Sequence, residues 1–139
     1  MTEQNRKIIL GDQIATVLSS GTPDHDVAIV DTMLPAGAGA PRHVHYNHDE
    51  SFYVLEGTVE VELDDTRGIV GPGGFLFAAK GHVHAFKNVG DGEARLLAVY
   101  GPARALAYLD ELSAVLGADG GVTADAMADF YERFDSAAG

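Results

Sequence analysis

Up to Gly101-Pro102 the chain is a succession of short apolar runs, each closed by a turn signal, and that pattern leaves few folds open. The runs are IATVLS from Ile14, VAIVDTML from Val27, SFYVLE from Ser51, TVEVEL from Thr58, GFLFAA from Gly74, HVHAFKN from His82 and ARLLAVY from Ala94. In TVEVEL the alternation is strict: Val59, Val61 and Leu63 share one face of an extended chain, and Thr58, Glu60 and Glu62 take the other. Strands of this kind bury one face and wet the other, as antiparallel strands do. Between the runs sit Gly21-Thr22-Pro23-Asp24, Glu56-Gly57, Asp64-Asp65, Gly71-Pro72-Gly73-Gly74 and Asn88-Val89-Gly90-Asp91-Gly92, all rich in residues that favour turns. Many short strands at close spacing predict an all-β sandwich or barrel rather than a parallel sheet.

Beyond Gly101 the period changes from that of strands to that of helices. Pro102 suits a first helical turn, Leu106, Leu109, Leu112, Ser113 and Leu116 fall near one face, and Gly117 suits the position after the last turn, so a helix is predicted over 102–116. Thr123 can cap a second helix, Asp125 sits where the helix dipole favours an anion, and Met127, Phe130, Tyr131 and Phe134 form an apolar stripe. That stripe is expected to pack on the barrel rather than to act as a substrate lid. The predicted organisation is thus a β-barrel domain over residues 1–101 and a helical extension over 102–139 packed against it.

Charge narrows the partners. With 21 Asp and Glu against 9 Lys and Arg the net charge is −12, so the scattered cations cannot build the basic patch that a nucleic acid or an anionic membrane requires. The opening MTEQNRKIILGDQ holds no apolar segment of a secretory leader, and nowhere do about 18 apolar residues run together, so a cytoplasmic protein without membrane spans is expected. The absence of cysteine removes disulfides, thiolate metal sites and cysteine nucleophiles. Any metal must therefore be bound by His, Asp or Glu.

Five of the six histidines fall between residues 43 and 84. His43 and His45 are two apart, and on an extended strand residues i and i+2 project from the same face, so both imidazoles can reach one ion. Glu50 follows across a short turn, and the run HVHAFKN offers His82 and His84. His48 lies in the turn between His45 and Glu50 and is expected to point outside. On alternation Phe52 shares the face of Glu50, and Phe86 and Asn88 share that of His84, while Phe75 and Phe77 share one face of their own run.

These residues resemble the cupin superfamily. Its first motif, G(X)5HXH(X)3–4E(X)6G, is matched by Gly37, His43, His45, Glu50 and Gly57, and its second, G(X)5PXG(X)2H(X)3N, by Gly73, Gly81, His84 and Asn88, with Ala79 in place of the proline. The resemblance implies a double-stranded β-helix, or jelly-roll, barrel holding one divalent metal on His43, His45, Glu50 and His84. Single-domain members with a helical tail are similar to quercetin dioxygenase-type proteins. Three neutral imidazoles and a carboxylate leave a divalent ion with positive charge, and an octahedral ion with four protein ligands keeps about two positions open. Iron, manganese or nickel is favoured for such a set, with zinc and copper admissible.

The expected function is that of a dioxygenase acting on a small, largely apolar, aromatic or enolic molecule. The alternatives are a redox-neutral isomerase, cyclase or lyase using the same metal, and a cupin that only binds a small ligand. Glu50 is a candidate base, and His82 is a candidate proton shuttle, substrate contact or partner of a ligand, against a solvent-exposed loop residue. Phe52, Phe77 and Phe86 are candidate substrate contacts, because aromatic side chains suit a planar apolar ligand. The apolar run from Ile8 to Leu18 is expected to supply a strand that covers a sheet edge, and a homodimer is expected.

Overall fold

A computed structural model of the chain describes residues 6–19, 26–116, 124–133 and 136–138. The strands are β1 (Arg6–Leu10), β2 (Gln13–Ser19), β3 (Ala28–Leu34), β4 (Gly39–His45), β5 (Asp49–Glu56), β6 (Val59–Leu63), β7 (Thr66–Val70), β8 (Phe75–Ala78), β9 (His84–Asn88), β10 (Ala94–Gly101) and β11 (Ser136–Ala138). Two helices, α1 (Ala105–Leu116) and α2 (Ala124–Arg133), lie between β10 and β11. One sheet has the order β1-β2-β3-β10-β5-β8 and the other β11-β4-β9-β6-β7. Every ladder is antiparallel, and the order of strands is that of a jelly-roll barrel.

Alternation explains the central strands. In β3 and β10 every second residue is buried, so Ala28, Val30, Thr32 and Leu34 face Ala94, Leu96, Ala98 and Tyr100 of the neighbouring strand toward the interior. Val17, Val54 and Val59 complete a core in which each such side chain is worth about 1.5–3 kcal/mol of burial. The helices share this core, which runs on through Ala103, Leu106, Leu109 and Phe130.

The motif residues outside the histidine and glutamate positions hold the turns. Gly37, Gly57, Gly73 and Gly81 all have positive φ. At Gly57 a side chain is excluded twice over, because φ is +94° and a Cβ would lie 2.7 Å from that of Ala94. Asn88 is buried and donates from Nδ2 to the carbonyls of Leu34 (3.0 Å) and Gly92 (2.8 Å), while Oδ1 accepts from the Gly90 amide (3.0 Å). Its amide thereby ties the β9–β10 turn to the end of β3.

Several elements depart from the sequence expectation for physical reasons. β7 is an edge strand whose residues are almost all exposed, so no buried face imposes alternation on it. The run from Ile8 pairs within the chain, as a β1–β2 hairpin with Ile8 and Leu10 buried. Helix α1 begins at Ala105 rather than Pro102, since β10 extends to Gly101 and the next residues form a turn. It is tied to β1 by the Arg6–Asp110 ion pair (2.6 Å) and by the Ser113 hydroxyl, which donates to the Ile9 carbonyl. The turn at 21–24, Gly117, Thr123 and Phe134 lie outside the described residues. Among the described residues no helix is long and apolar enough to cross a membrane.

Candidate metal centre

His43, His45, Glu50 and His84 converge between the two sheets, with one ligand atom from each lying within 4.8 Å of the others. His43 and His45 come from β4, His84 from β9 directly opposite His43 in register, and Glu50 from β5 of the other sheet. The register of β4 shifts between Ala40 and His43, where Pro41 has no amide hydrogen to give the ladder. The Pro41 carbonyl is then available to the ring of His43, whose Nδ1–H donates to it at 2.6 Å. His84 is held likewise, Nδ1–H donating to the His82 carbonyl at 3.1 Å. Because a carbonyl can only accept, both bonds hold the Nδ1 proton outward and leave Nε2 as the inward nitrogen, with a free lone pair whenever the ring is neutral.

What those inward atoms meet is the test of whether a cation fits. His43 Nε2 is 3.0 Å from His45 Nε2, and Glu50 Oε2 is 3.2 Å from the Nε2 atoms of both His45 and His84. Lone pairs of two imidazoles and a carboxylate repel at these distances unless protons or a cation lie between them. Burial, outweighing the attraction of Glu50, pulls the pKa of His43 down to about 4 and keeps it a neutral ligand near pH 7. Burial opposes charge on Glu50, yet hydrogen bonds from His45 and His84 hold its carboxyl well below the usual carboxylate range. Burial also opposes charge on His84, but Glu50 prevails and raises its pKa. An ionised carboxylate among imidazoles is the donor set a divalent cation requires, so the residues fit a metal.

A cavity of about 680 Å³ reaches from this cluster to the helices. It is lined by His43, His45, Glu50, Thr32 and Tyr100, by Leu109, Leu112 and Leu116 of α1 with Met127 and Tyr131 of α2, and by the polar side chains of Asp12, Gln13 and Arg42. Tyr100 stands opposite Glu50 in register; burial and then the charge of Glu50 push its phenol well above its ordinary range, so the hydroxyl stays protonated. Tyr108 of α1 sets its ring edge-on to His45 with centroids 4.6 Å apart, and Phe130 of α2 packs on Tyr108 at 4.8 Å.

The cupin domain matches residues 30–100, which contain all four candidate ligands. The chain belongs to the cupin family. Protein SchB of Streptomyces halstedii is 33% identical, over 73% of this chain and 82% of that protein. The quercetin 2,3-dioxygenase of Bacillus subtilis (strain 168) is 29% identical over 60% of this chain, a stretch that spans 25% of that enzyme. Among solved structures, the RmlC-like cupin of Shewanella frigidimarina NCIMB 400 has a TM-score of 0.61 with 22% identity, over 75% of this chain and 89% of that one, and shares its fold.

In this cupin the residues singled out from sequence do not all face the cavity. Phe86 lines it, and Phe52 is buried behind it with its ring edge-on to Phe86 at 5.3 Å. Phe77 is a correction. It is 54% exposed on the outer face of β8, because Leu76 and Ala78 take the inward positions of that strand. His82 is also a correction: it precedes β9, and its half-exposed ring turns outward to pair with Asp64 at 2.8 Å, so only its carbonyl serves the centre. His48 departs the other way. It is 6% exposed, stacks on His45 with centroids 4.2 Å apart, and its buried Nε2 has no hydrogen-bond partner. Burial, then the neighbouring His45, pulls its pKa down to about 4. Tyr100 and Tyr108 went unread as site residues, although the alternation of Ala94, Leu96, Ala98 and Tyr100 was a signal for the first.

Proposed function

We propose that this cupin is a metal-dependent dioxygenase of small, largely apolar aromatic or enolic molecules. The observation that carries the reading is the cavity, whose lining joins three of the candidate ligands to aliphatic and aromatic side chains of both helices. Likeness to a quercetin 2,3-dioxygenase over part of the chain supports it. Iron, manganese or nickel is the proposed ion, held by His43, His45, Glu50 and His84. When bound, it supplies positive charge for a substrate oxygen and a redox couple for dioxygen.

The remaining work falls to side chains. Glu50, whose charged carboxylate lines the cavity, accepts the hydroxyl proton of the enol on the oxygen not turned to the histidines, and Tyr100, buried opposite it in register, borders that carboxylate. The Pro41 and His82 carbonyls keep His43 and His84 in the ligating tautomer. The apolar wall excludes water from the reacting oxygens. Both atoms of dioxygen enter the product, so no external reductant is needed.

With an oxygen electrode running, the metal-loaded protein is expected to consume a flavonol, a β-diketone or a related enol only when dioxygen is present. Turnover that proceeds equally under nitrogen would transfer the assignment to an isomerase, cyclase or lyase, and binding without turnover to a ligand-binding cupin.

The homodimer is proposed as well, on the outer face of β5 and β8. Tyr53, Leu55, Phe75 and Phe77 are exposed there, and Tyr53 and Phe75 are paired in register. A contiguous apolar face of this kind is unusual on a monomer. Light scattering at micromolar concentration should give the mass of two chains, and Phe75→Lys should reduce it to one; a one-chain mass for the unaltered protein removes the proposal.

A further inference from the structure

The side chains of α1 and α2 present an inconsistency if their only role is to cover the barrel. Leu112, Leu116, Met127 and Tyr131 pack against the core, yet each is only partly buried, and each borders the cavity. Residues selected for packing alone would close that space, because an unfilled void forfeits contacts on every side chain around it. The first turns of α1 and Phe130 of α2 are buried in the shared core, while these four side chains border an open space beside it that has room for a ligand. The lining joins three of the four candidate ligands, with Tyr108 of α1 set against His45, to Leu112, Leu116, Met127 and Tyr131 on later turns of the tail, and Asp12, Gln13 and Arg42 add polar groups to it.

We infer that α1 and α2 form the wall that selects substrate by length: the metal end engages an oxygen of any suitable ligand, and Leu112 and Met127 grip only the distal part of a longer, flat, apolar one. The inference rests on the proposed chemistry of the metal centre and assigns specificity to residues outside the barrel. A single ring bearing vicinal hydroxyls would occupy the metal end alone. Fused rings extending from the same diol would reach the tail and gain apolar contact with each ring. Leu112 and Met127 come from different helices, so each tests the wall independently.

The test uses metal-loaded full-length protein under nitrogen and measures binding of catechol, naphthalene-2,3-diol and 1,2-dihydroxyanthraquinone by titration calorimetry. Affinity is expected to rise with ring number. Leu112→Trp and Met127→Trp fill the part of the cavity bordered by the tail, and each should weaken binding of the three-ring diol by about tenfold or more while leaving catechol within about twofold. Metal content, read by mass spectrometry, should be unchanged. Affinity independent of ring number, or an equal loss for catechol and the three-ring diol in both variants, would overturn the inference. So would failure of the unaltered protein to bind any of the three diols. Because binding is read without dioxygen, the oxygenase reading can fail through absent oxygen uptake while the selecting wall stands.

Discussion

His43→Ala is expected to leave the protein folded and largely without metal. Removing only a hydrogen-bond partner behind a ligand costs about 10–100-fold in metal affinity, and loss of the ligand itself should exceed that. His43 has no substitute at hand. Its Nε2 lies 3.0 Å from that of His45, the nearby His82 ring points outward to Asp64, and an alanine on β4 reaches neither. His45→Ala should do the same, with the difference that His48, stacked on His45 with an unpartnered buried Nε2, lies beside the vacated place. Metal analysis after dialysis against a weak chelator is the measurement. Full occupancy in both variants would show that the four residues are not the ligand set. Glu50→Gln is the sharper companion, since it keeps the shape of the side chain but removes the charge that balances the ion.

The barrel and the convergence of the candidate cluster were legible because strand alternation and the spacing of the motif residues are written in the sequence. An i, i+2 histidine pair on a strand fixes the direction of two side chains, and alternation fixes which face of β5 and β10 is inward. The motif glycines announce turns, which the positive φ values of Gly37, Gly57, Gly73 and Gly81 bear out. What alternation cannot give is the face of a strand whose two sides are both apolar. In GFLFAA, Phe75, Leu76 and Phe77 offer no contrast, so Phe77 was assigned inward, whereas Leu76 and Ala78 take that side. His48 and His82 failed for a related reason: both lie in turns, where no period constrains direction. His48 is buried by its stack on His45, and His82 is drawn out by Asp64, a residue far away in sequence. The tail's part in the cavity was invisible too, since helical periodicity reports an apolar face and not whether that face meets a neighbour or an open space.

The second large effect is expected from Phe130→Ala. Phe130 is 0% exposed, and its ring packs against Tyr108 at 4.8 Å and Tyr131 at 5.9 Å, so it joins α2 to α1. Truncating a buried phenylalanine costs about 3–5 kcal/mol, a large part of the roughly 5–15 kcal/mol that stabilises a domain. For a chain of 139 residues that predicts a fall in Tm of about 10 °C or more. The consequence should extend to the metal centre, because Tyr108, the ring that Phe130 supports, stands edge-on to His45. Metal affinity should therefore fall together with Tm, and Phe130→Leu, which keeps most of the volume, should lose less of both. Thermal melts of the metal-free protein isolate the packing term, and metal titration of the folded variants isolates the effect on His45. A Phe130→Ala protein that melts within about 1 °C of the original would mean that the tail adds nothing to the core. A melt lowered as expected with undiminished metal affinity would mean that the contact from Tyr108 to His45 carries no support to the ligand.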